Sequence, residues 1–287
     1  METSPTNAVL LISCPDRKGL VARISDFVYR HNGNILHADE HSDSEADIFL
    51  MRVEWDLAGF NLPRERIADA FEPLARELNL NWELRFSDSA PKTAIFVSKQ
   101  DHCLYDLLWR YRAGELRAKM EVVISDHPSC EPIVEYFGVP YCCFPITPEN
   151  KLAQEAQILD KLVRSEIELI VLARYMQVLT DSFVAHYPNR IINIHHSFLP
   201  AFMGPRPYHQ AYQRGVKLIG ATSHYVTAEL DDGPIIAQEV IRISHRDTVD
   251  DLIRKGKDLE KVVLARAVRA HLENRVLVYA KKTVVFD

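Results

Sequence analysis

The sequence has few of the features that would assign it to a membrane, to nucleic acid or to a secretory pathway. No apolar run in its 287 residues approaches the roughly 20 residues that a membrane-spanning helix requires. The formal net charge is −6, so no overall positive field attracts nucleic acid. The N-terminal residues have neither the basic nor the apolar segment of a signal peptide. We therefore expect a cytoplasmic protein that binds neither a membrane nor nucleic acid.

The cysteines also lack an organising pattern. They number five, an odd count, and none shows Cys-x-x-Cys spacing or another zinc-binding spacing. Reduced thiols in a reducing compartment are the expected state. The cysteines therefore indicate neither a disulfide framework nor a structural zinc site.

The first 86 residues predict a small βαββαβ domain. Two segments have the apolar spacing of helices and four have the character of strands. In chain order these are a strand at 8–13, a helix from 20, strands at 34–41 and 48–55, a helix at 64–78 and a strand at 81–86. This order is the ferredoxin-like arrangement. The polar, proline-containing stretch 87–92 predicts a linker to the next domain.

Residues 93–287 predict a second, larger α/β domain. Strand-like and helix-like segments alternate along it, which favours a mostly parallel sheet with helices on both faces. One strand at 190–195 precedes a pair of strands at 217–226 and 235–243, and a helix follows from 248 to about 272. With 47% hydrophobic residues, the chain can build a core in each domain.

Three polar residues in the second domain have the chemistry of acyl transfer. Asn193 and His195 alternate at the end of a predicted strand, so their side chains share a face at the edge where open α/β sheets bind ligands. An amide can donate to an oxyanion, and an imidazole can donate likewise or protonate a leaving nitrogen. Asp231 can orient His195 or accept a proton from the nucleophile. Alone, each has a structural alternative: a turn former, a buried histidine and a common loop composition.

The residues around this trio carry a longer motif. Asn193-x-His195-x-Ser197-x-Leu199-Pro200, followed by Asp231-x-Gly233, resembles the signature of the folate-dependent formyltransferase family. The resemblance continues through Gly204, residues 208–211, 215–216, 220–226 and 231–239. It implies a Rossmann-like formyltransferase domain in which Asn193, His195 and Asp231 are the catalytic residues.

A folate pocket follows from the same resemblance. Residues 172–179 are similar to the family segment that lines this pocket, and the backbone of the 228–232 loop is expected to close over the pterin. Ordinary core packing is the alternative for two of the apolar residues, Val178 and Leu179. The expected pocket residues are Met176, Val178, Leu179, Ser197 and Asp232.

A metal site is the alternative use of the histidines in this region. His195, His196, His224 and Asp231 have the ligand types of a metal centre. Adjacent residues on a strand point to opposite faces, however, so His195 and His196 cannot easily share one ion. The resembled family uses no metal, and we expect neither a metal nor another cofactor. The role of His196 is left open.

The first domain resembles an ACT domain, the small amino-acid-sensing module. The resemblance rests on the turn at 15–20 and the segment 33–35. It implies self-association into a homo-oligomer and an amino-acid effector, for which glycine and methionine are the candidates because both are tied to one-carbon flux. A purely structural dimerisation module is the alternative. The candidate ligand residues are Asp16, Gly19, Gly33 and Asn34.

The loop after the first strand of the second domain distinguishes a transferase from a hydrolase. Formyltransferases that act on a ribonucleotide amine carry a glycine-rich loop there, whose backbone N–H groups bind phosphate. Here the loop is 98–103, and no glycine occurs between Gly59 and Gly114. A phosphorylated amine therefore lacks its binding loop.

An ACT-like domain followed by a formyltransferase-type domain resembles the formyltetrahydrofolate deformylase family over almost the whole chain. The resemblance implies a hydrolase of a linear amide C–N bond (EC 3.5.1.10) that splits 10-formyltetrahydrofolate into tetrahydrofolate and formate, with water attacking the formyl carbon. The formate would serve purine synthesis and the reaction would balance the one-carbon folates. A formyltransferase to an unidentified amine and a non-catalytic folate-binding regulator are the two alternatives.

Overall fold

A computed structural model describes residues 6–201 and 207–287. The chain divides into two compact units. The first contains the residues through Ser89 together with Glu273–Tyr279 and Val284–Asp287, and the second contains Ala90–Leu272 and Ala280–Thr283. Within the described residues, no helix combines the length and the apolar character needed to cross a membrane.

The first unit is a four-stranded antiparallel sheet covered by two helices. Its elements are β1 (Asn7–Pro15), α1 (Leu20–Arg30), β2 (Asn34–Asp43), β3 (Ile48–Asp56), α2 (Ile67–Leu78) and β4 (Asn81–Phe86). The strand order is β2-β3-β1-β4. The apolar sides of both helices pack with alternate residues of β1 and β3 into one core. The predicted ferredoxin-like βαββαβ fold is confirmed.

The second unit is built around a seven-stranded sheet of order β11-β10-β9-β8-β5-β6-β7. Its elements are β5 (Lys92–Val97), α3 (His102–Arg112), β6 (Lys119–Ser125), α4 (Glu131–Tyr136), β7 (Tyr141–Cys143), α5 (Lys151–Arg164), β8 (Leu169–Leu172), α6 (Asp181–Ala185), β9 (Ile191–His195), α7 (Pro207–Arg214), β10 (Leu218–Tyr225), β11 (Ile235–Arg242) and α8 (Val249–Leu272). Strands β7, β6, β5, β8 and β9 run parallel to one another, and β10 is antiparallel to both β9 and β11. The mostly parallel α/β sheet is therefore confirmed.

The central strands of this sheet are buried on both faces. Every residue of β8 is buried, and its Leu-Ile-Val-Leu sequence is the continuous apolar run that a covered parallel strand requires. Helix α8 packs against β9, β10 and β11. Polar residues from β9, β10 and α8 line one cavity.

The C-terminal residues form a hairpin, β12 (Val276–Tyr279) paired with β13 (Lys282–Val285). From the sequence, all of 93–287 was predicted to belong to the second domain. In the structure, Glu273–Tyr279 and Val284–Asp287, on either side of the hairpin turn, belong to the first unit. The physical reason is a small apolar cluster on the face of the first sheet. This cluster consists of Leu11, Leu50 and Phe286, with Ile48, Leu277, Tyr279 and Val284 packed against it.

Candidate active site

The pairing of β9 with β10 places three polar residues side by side. In the antiparallel register, Asn193 lies opposite His224 and His195 lies opposite Thr222. Asn193, His195 and His224 all line one cavity of about 590 Å³ in the second unit. Asn193 and His195 thus share a face at the strand end, as their alternation predicts.

The loop between β10 and β11 brings a carboxylate to these residues. Asp231 adopts a left-handed backbone, with a φ of 56°, and Gly233 follows it closely. A Cβ at Gly233 would overlap the carbonyl oxygen of Tyr225, so only glycine lets the loop pass this close to the end of β10. The result is a distance of 3.2 Å from Asp231 Oδ2 to His195 Nδ1 and of 3.7 Å from Asp231 Oδ1 to His224 Nε2.

The electrostatics of this contact fix the charge of Asp231. The hydrogen bond from His195, and then the nearby His224 ring, hold the pKa of the Asp231 carboxyl well below its ordinary value, against the opposing effect of burial. An ionised carboxylate only accepts, so His195 donates its Nδ1–H to Asp231. The other ring nitrogen, Nε2, is buried and has no hydrogen-bond partner among the residues that the structure describes. His195 therefore has one nitrogen held by Asp231 and one available to a bound molecule.

His224 is oriented by its own backbone neighbour. Its Nδ1 lies 2.9 Å from the carbonyl oxygen of Tyr225, so Nδ1 carries the donated hydrogen. In the neutral ring, Nε2 is then an acceptor, and Asn193 Nδ2 lies 3.3 Å from it. One amide hydrogen of Asn193 is used in this contact. The second remains for a ligand, which makes His224 the residue that aims the Asn193 amide.

The predicted apolar pocket residues Met176, Val178 and Leu179 line the same cavity. Leu179 also packs in the core beneath the sheet. Met176 and Val178 are 60% and 55% exposed, so core packing does not account for them. Two exposed apolar side chains at the mouth of a partly polar cavity are typical of a binding surface. The 226–231 segment also lines this cavity.

Two other predicted pocket residues are engaged elsewhere. The Ser197 hydroxyl donates to the carbonyl oxygen of Ala201 at 2.7 Å and so closes a turn. The Asp232 carboxylate lies 2.5 Å from Lys281 Nζ. Neither residue is among the described residues that line the cavity. The motif residue Gly204 lies outside the described residues.

His196 lies beside His195 instead of across the strand from it. Strand β9 ends at His195, so the strict alternation of faces no longer applies one residue later. The ring centroids of His195 and His196 are 5.1 Å apart. Burial, followed by the nearby positive charge of Arg174, lowers the pKa of His196 to about 4, so its ring is neutral at pH 7. The argument that adjacent histidines point to opposite faces was therefore wrong at this position.

Sequence reasoning missed a second polar group in the cavity wall. Arg174, Tyr208 and Glu260 line the cavity with the trio, and His102 bonds to Glu260. Arg174 and Tyr208 lie in segments that resemble the formyltransferase family, but their sequence context does not indicate a role in the cavity. Glu260 lies in the middle of α8, where an acidic residue ordinarily indicates a solvated face.

The four candidate effector residues of the first unit lie in the turn before α1 and at the start of β2. Gly19 has a φ of 90° and immediately precedes α1. A Cβ at Gly33 would overlap Val28 and crowd Phe60, which gives this glycine a packing reason of its own. The side chains of Asp16 and Asn34 are exposed. A ligand role for these four residues stays a prediction.

Comparisons with known proteins agree with this geometry. The formyl transferase family model matches residues 91–268, and the ACT domain model matches residues 8–75. A formyltetrahydrofolate deformylase from Synechocystis is 58% identical over 97% of this chain and 98% of its own length. The chain belongs to the formyltetrahydrofolate deformylase family.

Other members of the formyltetrahydrofolate deformylase family give the same result. The Bacillus subtilis deformylase is 46% identical over 97% of this chain and 93% of its own length. The crystal structure of a deformylase from Pseudomonas syringae pv. tomato superposes with a TM-score of 0.97 at 45% identity, covering 100% of this chain and 96% of the other. The family resemblance and the two-domain fold predicted from the sequence are both confirmed.

Proposed function

We propose that the protein hydrolyses 10-formyltetrahydrofolate to tetrahydrofolate and formate. One observation carries the proposal. The ionised Asp231 holds the Nδ1–H of His195. The buried Nε2, which has no hydrogen-bond partner in the described part of the chain, belongs to a residue that lines a cavity of about 590 Å³ with exposed apolar side chains. A carboxylate that orients one imidazole nitrogen while the other meets the reactants is the arrangement of general acid–base catalysis in acyl transfer.

Water is the nucleophile in this reaction. Its oxygen bonds to the formyl carbon while one of its protons passes to His195 Nε2. Asp231 Oδ1 lies 3.7 Å from His224 Nε2, which is too long for a hydrogen bond, so that oxygen can accept one from the water. Because the pKa of Asp231 is lowered, this carboxylate is a weak base, and it acts by orienting the water and His195.

The tetrahedral intermediate carries an oxyanion. The second amide hydrogen of Asn193 donates to that oxygen without a change of charge, since His224 Nε2 occupies only one of the two hydrogens. The protonated His195, stabilised by Asp231, then gives its proton to the departing N10 nitrogen. The carbon–nitrogen bond breaks, tetrahydrofolate leaves, and the formic acid loses its proton to become formate.

No metal or other cofactor enters this proposal. The formate would be available to purine synthesis, and the reaction would balance the one-carbon folates. We propose a cytoplasmic location, in keeping with five cysteines that form no disulfide.

The first unit is proposed to self-associate into a homo-oligomer and to bind an amino-acid effector, with glycine and methionine as candidates. Support comes from the ACT family match over residues 8–75. Calorimetry with each amino acid, together with formate release in its presence, tests the effector. The absence of both heat and rate change would reject that ligand.

The test of the catalytic proposal is formate release from 10-formyltetrahydrofolate by the purified protein, with no amine and no metal added. Stoichiometric formate and tetrahydrofolate over many turnovers are expected. Turnover that requires an added amine would instead indicate a formyltransferase. Folate binding without any turnover would indicate a regulatory folate-binding protein.

A further inference from the structure

Glu260 is a buried carboxylate in the wall of the catalytic cavity that hydrolysis, as described above, does not use. It lies in α8, is 1% exposed and lines the cavity together with His195 and Asp231. A charge removed from water is costly unless it is paired and hydrogen-bonded. A buried carboxylate at this position therefore calls for a role.

Three side chains keep this carboxylate charged. Burial opposes ionisation of Glu260, but the hydrogen bond with His102, the positive charge of Arg174 and the hydrogen bond from Tyr208 together lower its pKa. The Tyr208 hydroxyl donates to Oε1 at 2.6 Å, and His102 Nε2 lies 2.8 Å from Oε2. Arg174 Nε lies 3.5 Å from the same Oε2. We call Glu260 and these three residues the Glu260 cluster.

A row of rings links the Glu260 cluster to the catalytic histidine. The His195 and His196 rings are 5.1 Å apart, and the His196 and Tyr208 rings are 6.1 Å apart. Tyr208 reaches Glu260 across Gly256, one turn earlier in α8, where a Cβ would overlap the tyrosine hydroxyl. Asp231 and Glu260 thus lie at opposite ends of one row of rings along the cavity wall.

The charges in this part of the wall decide what can enter. Arg174 and Lys257 are cationic and both line the cavity. Arg174 is buried and Lys257 is half-buried. Without Glu260, they would form a positive region in the cavity wall that attracts an anion such as a phosphate group. Glu260 neutralises Arg174 within the wall and repels a second anion at low dielectric.

We propose that Glu260 is a specificity-determining residue that keeps anionic acceptors, phosphorylated amines above all, out of the cavity and so reserves the formyl carbon for water. The inference rests on the proposed hydrolysis. Discrimination arises by placing a like charge where the unwanted partner would bind. Glu260 does not touch the reacting atoms in this account and acts through the charge of the wall.

A cation site is the competing interpretation of the same residues. His102, Cys103 and Glu260 offer ligand atoms within 4.8 Å of one another. Burial and the charge of Glu260 raise the pKa of the Cys103 thiol well above its ordinary value, and Arg174 adds a positive charge beside the carboxylate. A thiol must lose its proton to bind a metal ion, so the raised pKa of Cys103 opposes binding. The positive charge of Arg174 also repels a cation.

The test measures inorganic phosphate binding by calorimetry at constant ionic strength, which does not depend on turnover. Glu260→Gln keeps the shape of the side chain and removes its charge, and should bind phosphate at least roughly tenfold more tightly than the wild type. Tyr208→Phe is the matched control, since it removes a hydrogen bond but keeps the carboxylate, and should bind like the wild type. Equal phosphate affinity of wild type and Glu260→Gln would overturn the proposal.

A second measurement uses the unmodified protein in case Glu260→Gln does not fold. Ethanolamine and O-phosphoethanolamine differ by one phosphate group, and the phosphorylated compound should inhibit formate release no better than ethanolamine. Roughly tenfold stronger inhibition by O-phosphoethanolamine would contradict the inference. So would tight zinc binding to the wild type that Glu260→Gln abolishes. If the wild type releases no formate, the proposed hydrolysis is rejected. The calorimetry with phosphate does not depend on turnover, so it still tests the role of Glu260.

Discussion

Asp231 Oδ2 lies 3.2 Å from His195 Nδ1, although 35 residues separate them in the chain. The contact joins the end of β9 to a loop that follows β10, and it fixes both the charge of the carboxylate and the tautomer of the ring. The reactivity of His195 Nε2 therefore depends on a residue that need not touch the formyl carbon.

Replacing this carboxylate should abolish most of the activity without altering the fold. Asp231→Asn keeps the size of the side chain, and asparagine tolerates the left-handed backbone at this position. It removes the ionised acceptor of the His195 Nδ1–H, so kcat for formate release should fall by about 10³- to 10⁴-fold. Tetrahydrofolate binding, measured by calorimetry, should persist. Formate release within threefold of the wild type would contradict the assigned role.

The loop that carries Asp231 should not tolerate a side chain at Gly233. A Cβ there would overlap the Tyr225 carbonyl oxygen, so Gly233→Ala must move the loop and with it Asp231. A displacement of about 1 Å can cost roughly 10²-fold in rate, and we expect a loss of that order in kcat/KM for formate release.

The control for this change is Gly215→Ala. Gly215 has a φ of 66° but no atom near a Cβ, so alanine should cost stability only, about 1 kcal/mol for the left-handed backbone. Urea unfolding and formate release separate the two outcomes. Equal effects of both variants on kcat/KM would show that the loop position does not matter for catalysis.

Local patterns explain why much of the fold was predictable. The segment 81–86 was predicted as a strand and is β4, and the long helix expected from 248 to about 272 is α8, Val249–Leu272. Helix α4 was not predicted, because its six residues are too few to show a period. The C-terminal hairpin was missed for a different reason. Phe286 packs on Leu50, a contact between distant parts of the chain that no local pattern records.

The candidate active site likewise contains residues whose proximity could be predicted from the sequence and residues whose proximity could not. Asn193 and His195 lie two residues apart on one strand, so their shared face follows from alternation alone. Asp231 could be joined to them only through the family motif. Glu260 and His102 are 158 positions apart, and neither residue looks unusual in its own helix. Only the fold shows that two ordinary polar residues meet at 2.8 Å inside a cavity.

Lys281 should make a small, salt-dependent contribution to activity. Its Nζ lies 2.9 Å from Glu229 and 2.5 Å from Asp232, the residues that flank the Leu230–Asp231 pair. The lysine is 72% exposed, and exposed ion pairs are weak, so Lys281→Ala should lower kcat/KM by roughly two- to fivefold. The deficit should shrink as sodium chloride is added. Lys18→Ala, an exposed lysine of the first unit, is the control, and an equal loss there would contradict the assignment.

His196 should make the protein less stable in mild acid. Burial lowers its pKa from 6.5 to about 4 in the folded protein. Between these values the unfolded chain binds a proton that the folded protein does not, so the free energy of unfolding rises with pH and falls as the pH is lowered from 7 to 5. The loss attributable to this one group is about 2 kcal/mol at pH 5.

The measurement is urea unfolding at pH 7 and pH 5 for the wild type and for His196→Gln. Glutamine has no proton to gain in this range, so the variant should lose about 2 kcal/mol less than the wild type on acidification. His245→Gln, at an exposed position, is the matched control and should behave like the wild type. If His196→Gln and the wild type lose equal stability between the two pH values, the ring is not held neutral by burial. The acid sensitivity would then originate in other groups of the protein.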